Sequence, residues 1–196
     1  NSYEVLQQLT NNNSHFTLIK NTEKKYALRN VVEQSRKFEN DPETIIAVLD
    51  ADDSLTGLDV VDTLITEYKS NTELDALWTK HRWDTNGMNI SEALPEKINP
   101  YQHKWVSSHL KTFRASILKN ISDVNFKNYK RDWFTRGYDQ ALFLSILYKS
   151  RQRKFLDKIC YLYNLHSASI PLEKRNYQEF EQINNINFIR ARGFVK

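Results

Sequence analysis

The sequence contains very little cysteine, glycine and proline. Its 196 residues include four glycines, four prolines and one cysteine, Cys160. Because glycine and proline interrupt helices and strands, their scarcity predicts a chain that is rich in regular elements. A single cysteine excludes an internal disulfide and is typical of a reducing compartment, so we expect a cytoplasmic protein.

Long apolar runs are absent as well. A membrane-spanning helix needs about 20 consecutive apolar residues, and no segment approaches that length. The opening residues, NSYEVLQQLTNNN, have neither the basic nor the apolar part of a signal peptide. We therefore expect no transmembrane segment, which leaves peripheral contact with a membrane open. With 40% hydrophobic and 27% charged residues, the composition is typical of one globular domain.

The net charge of +4 conceals an uneven distribution. Residues 1–100 carry 10 Lys and Arg against 17 Asp and Glu, a net charge of −7, whereas residues 101–196 carry 18 against 7, a net charge of +11. An acidic half beside a basic half is typical of a cleft that handles phosphate groups. Long surface helices rich in Lys and Arg would give the same totals, and charge alone does not separate the two interpretations.

Apolar periodicity predicts alternating helices and strands in the first hundred residues. In chain order they are helix SYEVLQQLT, strand HFTLIKN, helix KKYALRNVVEQSRKF, strand IIAVL, helix GLDVVDTLITEYKSN and strand LDALWTKHRW. The segment IIAVL is apolar at every position, as expected of a strand that is covered on both faces of a parallel sheet. This order favours an open, mostly parallel α/β sheet.

The helical spacing also predicts which residues form the apolar faces. These residues are Ala27, Val31 and Phe38 in the second helix and Leu58, Val61, Ile65 and Tyr68 in the third.

In the second half of the chain, residues 84–102 consist largely of turn residues and predict a long loop, which in a compact domain is usually functional. The segment SSHLKTFRASILKNI has an apolar stripe, GYDQALFLSILYKS predicts a buried helix, and RKFLDKICYLYN fits a helix or a strand.

Three aspartates follow the strand IIAVL directly. In an open α/β sheet, ligands bind beyond the carboxyl ends of the strands, and Asp50, Asp52 and Asp53 fall at such an end. Clustered carboxylates repel one another unless they face a cation, so the cluster predicts a metal site. The alternative is a solvated turn in which Asp53 or Ser54 caps the next helix.

Two other motifs are close to this cluster. An EF-hand loop requires glycine at its sixth position and glutamate at its twelfth; counted from Asp50, those positions hold Leu55 and Val61. The segment DADDS also resembles the DxDx[TV] motif of haloacid-dehalogenase-like phosphatases, which would make Asp50 the nucleophile and Asp52 the acid/base. That motif normally lies on the first strand, and no acidic pair that would complete its magnesium site follows residue 100.

The order of several blocks resembles the family 2 glycosyltransferases, which have the GT-A fold. The blocks are YALRNVVEQSR with its core Ala27-Leu28-Arg29-Asn30, IIAVLDADDSL with its DxD motif, HLKTFRASIL, TRGYDQALFLSIL and YLYNLHSASI. The resemblance covers residues 15–170. It implies a Rossmann-like, open and mostly parallel sheet flanked by helices, without the family's usual first strand, because nothing like VSVIIPTYN is present.

The resemblance implies one catalytic domain over residues 1–196. Its parts would be a nucleotide-sugar and metal half (1–100), an acceptor half (101–170) and a basic tail (171–196). The implied activity is metal-dependent, inverting transfer of a sugar from a nucleotide-diphosphate donor, most simply a UDP-sugar, to a hydroxyl acceptor. A divalent cation would neutralise the leaving diphosphate, and oxygen ligands suit Mn²⁺ or Mg²⁺.

On the donor side, the resemblance implies that Asp52 coordinates the metal directly. Asp50 would contact the metal through water or bind the ribose of the nucleotide. His166 would be a further ligand of the metal or the diphosphate. Lys24 and Arg29 would contact the nucleotide or its phosphates.

On the acceptor side, Asp139 matches the general base, which must lie within hydrogen-bonding reach of the acceptor hydroxyl. The alternative for Asp139 is a plain N-cap of the following helix. Tyr138 stands where the family often has a second acid. The resemblance also assigns His109, Arg114 and Trp105 to the acceptor side.

The acceptor class is open at this point. All four tryptophans, Trp78, Trp83, Trp105 and Trp133, offer faces on which a sugar can stack, although such residues more often belong to a core. An anionic polymer, either polysaccharide or DNA, would suit the basic half of the chain. A non-enzymatic nucleic-acid-binding module is a further alternative, but no compact RNA-binding motif supports it.

Overall fold

Five strands pair into one sheet in the order β1-β4-β3-β5-β2. The computed structural model describes residues 2–10, 13–164 and 172–196. The strands are β1 (Ile45–Val48), β2 (Ser54–Leu55), β3 (Leu74–Trp83), β4 (Lys111–Arg114) and β5 (Gln152–Tyr163), and the helices are α1 (Ser2–Thr10), α2 (Tyr26–Arg36), α3 (Asp59–Ser70), α4 (Tyr138–Lys149) and α5 (Leu172–Arg192). Two short 3-10 helices, Ala115–Asn120 and Asp123–Phe126, follow β4.

The sheet is mixed, so the prediction of a mostly parallel sheet is wrong. Only the β3–β5 pair is parallel, while β4 runs antiparallel to both of its neighbours, β1 and β3, and β2 runs antiparallel to β5. The difference arises at β4, which follows the long loop in the sequence and lies between β1 and β3 in the sheet. The four residues of β4 are all buried, and the strand is too short for its apolar residues to show a period of two.

Two further strand predictions are wrong. Residues 15–21 form no strand, and the apolar side chains Phe16 and Ile19 in that segment are exposed. The segment IIAVL does form β1, but β1 is an edge strand with an exposed Ala47, and Leu49 just after it is also exposed. A run of apolar residues therefore indicates a strand here without indicating cover on both faces.

Helices cover both faces of the sheet. On one face, α2 and α4 pack against side chains such as Trp78 and Phe113. On the other face, α3 packs against a second cluster that includes Leu77, Leu110 and Tyr161. Neighbouring residues of β3 point to opposite faces, which is why Leu77 and Trp78 belong to different clusters.

The structure confirms helices at α2, α3 and α4, but the buried faces of α2 and α3 differ from the prediction except at Tyr68, which is buried as predicted. The buried residues are Leu28, Val32 and Ser35 in α2 and Val60, Leu64 and Tyr68 in α3. Each helix has two adjacent apolar stripes, and the periodicity alone does not show which stripe meets the sheet. In α4, residues 140–147 are all buried, as predicted.

The C-terminal segment, predicted as a basic tail, contains the long helix α5. Ile189 of α5 is buried in the main core. Arg190 donates hydrogen bonds to the Gln140 side chain (2.7 Å) and to the backbone carbonyls of Tyr101 (3.1 Å) and His103 (2.6 Å). This helix therefore packs as part of the domain. None of the helices within the described residues combines the length and apolar character that crossing a membrane requires.

Candidate functional site

The end of β1 and the start of α4 meet through one side-chain contact. The hydroxyl of Tyr138 donates to the carboxylate of Asp50, with distances of 2.9 Å to Oδ1 and 3.1 Å to Oδ2. Burial raises the pKa of Asp50; the hydrogen bond from Tyr138 opposes this rise, and the negative charge of Asp139 adds to it. Two predicted parts of the site, 88 residues apart in sequence, thus lie at the same edge of the sheet.

The end of β5 holds the aspartate turn in place. The hydroxyl of Tyr161 donates to Oδ2 of Asp53 at 2.6 Å and accepts from the backbone N–H of Asp50 at 3.2 Å. The backbone N–H of Asn164 donates to Oδ1 of Asp53 at 2.8 Å. Asp53 therefore supports the turn through both of its oxygens. It does not cap the next helix, because α3 begins at Asp59 after Leu58 and Ser54 belongs to β2.

Asp52 lies at the tip of the turn, where it is exposed. Its backbone carbonyl accepts a hydrogen bond from the side-chain amide of Asn164. Within the described ranges, no three His, Cys, Asp or Glu side chains are grouped so as to hold a metal ion. The chemistry of the donors nevertheless fits Mg²⁺ or Mn²⁺, since Mg²⁺ is usually held by one or two carboxylates together with phosphate oxygens of a substrate. Asp52 and Asp50 are the carboxylates that would hold it.

Asp139 forms an ion pair with Lys111, the first residue of β4. The Lys111 ammonium lies 2.8 Å from Asp139 Oδ1, and the two side chains are 1% and 32% exposed, respectively. The same ammonium donates to the backbone carbonyl of Ser108 at 2.8 Å. The N-cap of α4 is Gly137, at φ 70°, so the alternative of Asp139 as an N-cap is wrong. It lies in the first turn of the helix, where the helix dipole favours a negative charge.

His109 is almost fully buried and lies at the base of the site. Its ring stacks on that of Tyr161, with 4.6 Å between centroids, and its Nδ1 lies 3.3 Å from the Lys111 ammonium. Burial, assisted by the charge of Lys111, lowers the pKa of His109 to about 2. Neighbouring His81 is buried as well, which lowers its pKa to about 4. Both rings are therefore neutral at pH 7, and Nδ1 of His109 can accept a hydrogen bond from the Lys111 ammonium.

The lowered pKa values of these two histidines predict that the folded state becomes less stable as the pH falls. In the unfolded chain both titrate near pH 6.5, but in the folded protein the pKa is about 2 for His109 and about 4 for His81. Between pH 6.5 and 4 the unfolded state binds more protons, so the free energy of unfolding should fall with pH by up to ~1.4 kcal/mol per unit for each histidine. Asp50, whose pKa is raised, opposes this trend.

The measurement is the melting temperature between pH 7.5 and 5.0. His109→Gln should weaken its dependence on pH, and the matched change at the exposed His15 should leave the dependence as in the wild type. A melting temperature that stays constant over this range would contradict the prediction.

Two clefts meet at Asp139. The larger, of about 560 Å³, is lined by residues that include Trp105, His109 and Asp139. The smaller, of about 260 Å³, is lined by residues that include Lys24, Tyr138 and Asp139. Asp139 therefore lines both spaces, with the predicted acceptor residue Trp105 in one and the predicted nucleotide contact Lys24 in the other.

Arg29, another predicted donor residue, is not brought to this point. Arg29 forms ion pairs with Glu33 (2.7 Å) and Glu23 (2.9 Å), which hold its guanidinium against the surface of α2. His166 lies outside the described residues. Lys24 lines the smaller cleft together with Tyr138, whose hydroxyl binds Asp50.

Arg114, predicted on the acceptor side, lies at the other end of β4 from Lys111. It pairs in register with Ile45 at the start of β1, whereas Lys111 pairs with Val48 next to the aspartate turn. The buried guanidinium donates to the backbone carbonyls of Pro42, Tyr68 and Leu74. Arg114 thus links the loop before β1 to α3 and β3, and the structure does not bring it to the clefts.

Sequence reasoning missed Lys111, Tyr138 and Tyr161 as contributors to the site. One signal was present, because a lysine in a segment with apolar residues on both sides has to find a partner if it is buried. The contacts themselves join residues from different elements and leave no local pattern. Neither a protein-family model nor a curated protein sequence matches this chain. Evidence for a function therefore comes from the residues of the site.

Proposed function

We propose that this chain is a metal-dependent, inverting glycosyltransferase that moves a sugar from a nucleotide-diphosphate donor, a UDP-sugar, to a hydroxyl acceptor, and that its sheet is a variant of the GT-A fold. The observation that carries the proposal is the hydrogen bond from Tyr138 to Asp50. It joins the acidic turn after β1 to a second carboxylate, Asp139, that lines two clefts. Sugar transfer needs these two features together: a charge-neutralising donor site and a base on the acceptor side.

On the donor side, the exposed Asp52 and the half-buried Asp50 would hold Mn²⁺ or Mg²⁺. Such a cation stabilises the negative charge that develops on the leaving diphosphate. Lys24, at the smaller cleft, would contact the phosphates. Arg29 and His166 are retained as further candidate contacts of the donor.

On the acceptor side, Asp139 would take the proton of the attacking hydroxyl. The hydroxyl oxygen forms a bond to the anomeric carbon as the bond from that carbon to the diphosphate oxygen breaks, which inverts the centre. The proton passes to the Asp139 carboxylate. Lys111, paired with that carboxylate at 2.8 Å, compensates the negative charge of Asp139 before the proton is transferred.

The other functions considered from the sequence have less support. A phosphatase would use Asp50 as the nucleophile, but no acidic pair that would complete the magnesium site of that family follows residue 100. A nucleic-acid-binding surface would need exposed cations, but several arginines of the basic half donate to backbone carbonyls instead. These are Arg114, Arg153, Arg190 and Arg192.

The proposal predicts that UDP stabilises the protein only when Mn²⁺ is present. Binding at 100 times the dissociation constant stabilises the folded state by about 2.7 kcal/mol, which for a protein of this size raises the melting temperature by roughly 5–10 °C. Thermal shift with UDP, ADP and GDP, each with and without Mn²⁺, measures it. Asp52→Asn should remove the shift.

The matched control is Asp62→Asn, which changes an exposed acid on α3 and should keep the shift. If no nucleoside diphosphate raises the melting temperature in the presence of Mn²⁺, the transferase proposal fails. Phosphatase turnover that Asp50→Asn abolishes would support a phosphohydrolase instead.

A further inference from the structure

One face of α5 forms a wall of the larger cleft. Glu179, Gln182 and Ile186 line the cleft, and their spacing of three and four residues places them on one side of the helix. The cleft is also lined by the aromatic residues Trp83 and Trp105. Gln182 lines the smaller cleft too, so it stands beside Asp139 where the two spaces meet.

The same helix holds the segment just before α4. The side-chain amide of Asn185 donates to the backbone carbonyl of Arg136 at 3.1 Å, and the hydroxyl of Thr135 donates to the carboxylate of Glu181. A Cβ added to Gly137 would lie 3.1 Å from Cγ1 of Ile186. Three consecutive residues are thus fixed by α5 immediately before Tyr138 and Asp139. The position of the candidate base therefore depends on this helix.

The lining of the larger cleft indicates the chemistry of its ligand. Besides aromatic faces and the aliphatic side chains of Ile90 and Ile186, it contains amide, hydroxyl and carboxylate groups, those of Gln140, Gln182, Ser108, Glu179 and Asp139. No lysine or arginine is among the lining residues that the structure describes, and the nearby Lys111 is buried and paired with Asp139. An anionic polymer would meet carboxylates here. An uncharged polyhydroxyl ligand can stack on the indole rings and bond to the amides.

We propose that this cleft binds a neutral saccharide as the acceptor, and that Gln182 of α5 is an acceptor-binding residue. A primary amide has both donor and acceptor atoms and can bond to two neighbouring hydroxyls of one sugar. The saccharide stacks on Trp83 and Trp105 and presents one hydroxyl to Asp139. The acceptor assignment rests on the proposed function, whereas the saccharide site itself does not. α5 then determines which acceptors are used.

Intrinsic tryptophan fluorescence tests the proposal, because Trp83 and Trp105 line the cleft. The probes are lactose, cellobiose and N,N′-diacetylchitobiose, titrated without nucleotide or metal, with a sulfated disaccharide as the anionic comparison. A saturable change is expected with at least one neutral probe. Gln182→Ala should raise its dissociation constant by about threefold to tenfold, the effect of losing one or two hydrogen bonds.

The matched control is Asn184→Ala, an exposed amide on α5 that lines neither cleft. The proposal is overturned if no neutral saccharide changes the fluorescence, if only the sulfated probe binds, or if both variants weaken binding equally. Thermal shift by UDP and Mn²⁺ is measured without saccharide. Saccharide binding without a UDP shift would support a carbohydrate site and exclude the transferase proposal. A UDP shift without saccharide binding would support the transferase proposal and exclude the saccharide site.

The contact of α5 with Gly137 is tested by a pair of glycines. Gly137 and Gly87 have φ values of 70° and 72°, but a Cβ at Gly87 would meet nothing within 4 Å. Alanine at either position incurs the same strain of a left-handed backbone conformation. Gly137→Ala should lower the melting temperature further than Gly87→Ala and should weaken saccharide binding. Equal effects of the two changes would show that α5 does not hold the segment before α4.

Discussion

Replacing Asp139 by Asn is expected to lower sugar transfer by about 10²–10⁴-fold, the usual contribution of a general base. The amide has nearly the same shape but cannot accept the proton of the acceptor hydroxyl. Mn²⁺-dependent binding of UDP should persist, since the carboxylates proposed to hold the metal are Asp50 and Asp52. The assay is release of UDP from a panel of UDP-sugars, followed with and without neutral saccharides.

The ion pair with Lys111 complicates this experiment and also supplies its control. Asp139→Asn leaves a lysine that is 1% exposed without an opposite charge, so part of any loss of activity could come from unfolding. The double variant Lys111→Met/Asp139→Asn removes both charges. It should be more stable than the Asp139→Asn variant and remain inactive. Asp132→Asn, which changes an exposed aspartate just before α4, should retain activity. Transfer by the double variant would exclude Asp139 as the base.

The second large expected effect is a loss of stability, and its size should differ between a substitution of Asp139 and a substitution of Lys111. Asp139→Asn should cost about 3–5 kcal/mol, because it leaves an uncompensated buried ammonium. Lys111→Met should cost less, about 1–3 kcal/mol, mainly from the Ser108 carbonyl that loses its donor. The remaining carboxylate is 32% exposed and can be solvated.

Urea unfolding of the wild type, both single variants and the double variant measures this difference. The double variant should be destabilised by much less than the sum of the two single effects, because neither charge is then left alone. A larger loss for Lys111→Met than for Asp139→Asn would show that the carboxylate, not the ammonium, is the group that depends on its partner. Additive effects would mean that the pair is not coupled.

Strong local signals explain the parts of the fold that could be predicted. α2 and α3 are long enough for a helical period to emerge, and α4 is a nearly continuous apolar run. β1 is wholly apolar, and β3 begins with mainly apolar residues after a polar turn. β5 could not be told from a helix, because its burial alternates over only part of its 12 residues. β4 could not be found at all from its four residues. A short buried strand is stabilised by its neighbours rather than by its own pattern.

The candidate site likewise has residues that could be predicted from the sequence and contacts that could not. Asp50, Asp52 and Asp139 could be named from the sequence, since acids after an apolar strand or at the start of a helix are visible locally. Tyr138 could be named but not understood, because its partner Asp50 is 88 residues away. Lys111 could not be recognised as the partner of Asp139, since that contact requires β4 to lie in the sheet beside β1 and α4 to begin over its end.

The sequence by itself determined that this is an α/β protein with a cluster of carboxylates after one strand and a separate aspartate at the start of a buried helix. Those features depend on apolar spacing and residue type, which act over a few neighbouring residues. Only the tertiary structure decided that the sheet is mixed, that β1 is its edge, that Lys111 is buried against Asp139, and that α5 forms a wall of the cleft. Each of these depends on which surfaces meet, and packing energy between distant segments, not local preference, selects that arrangement.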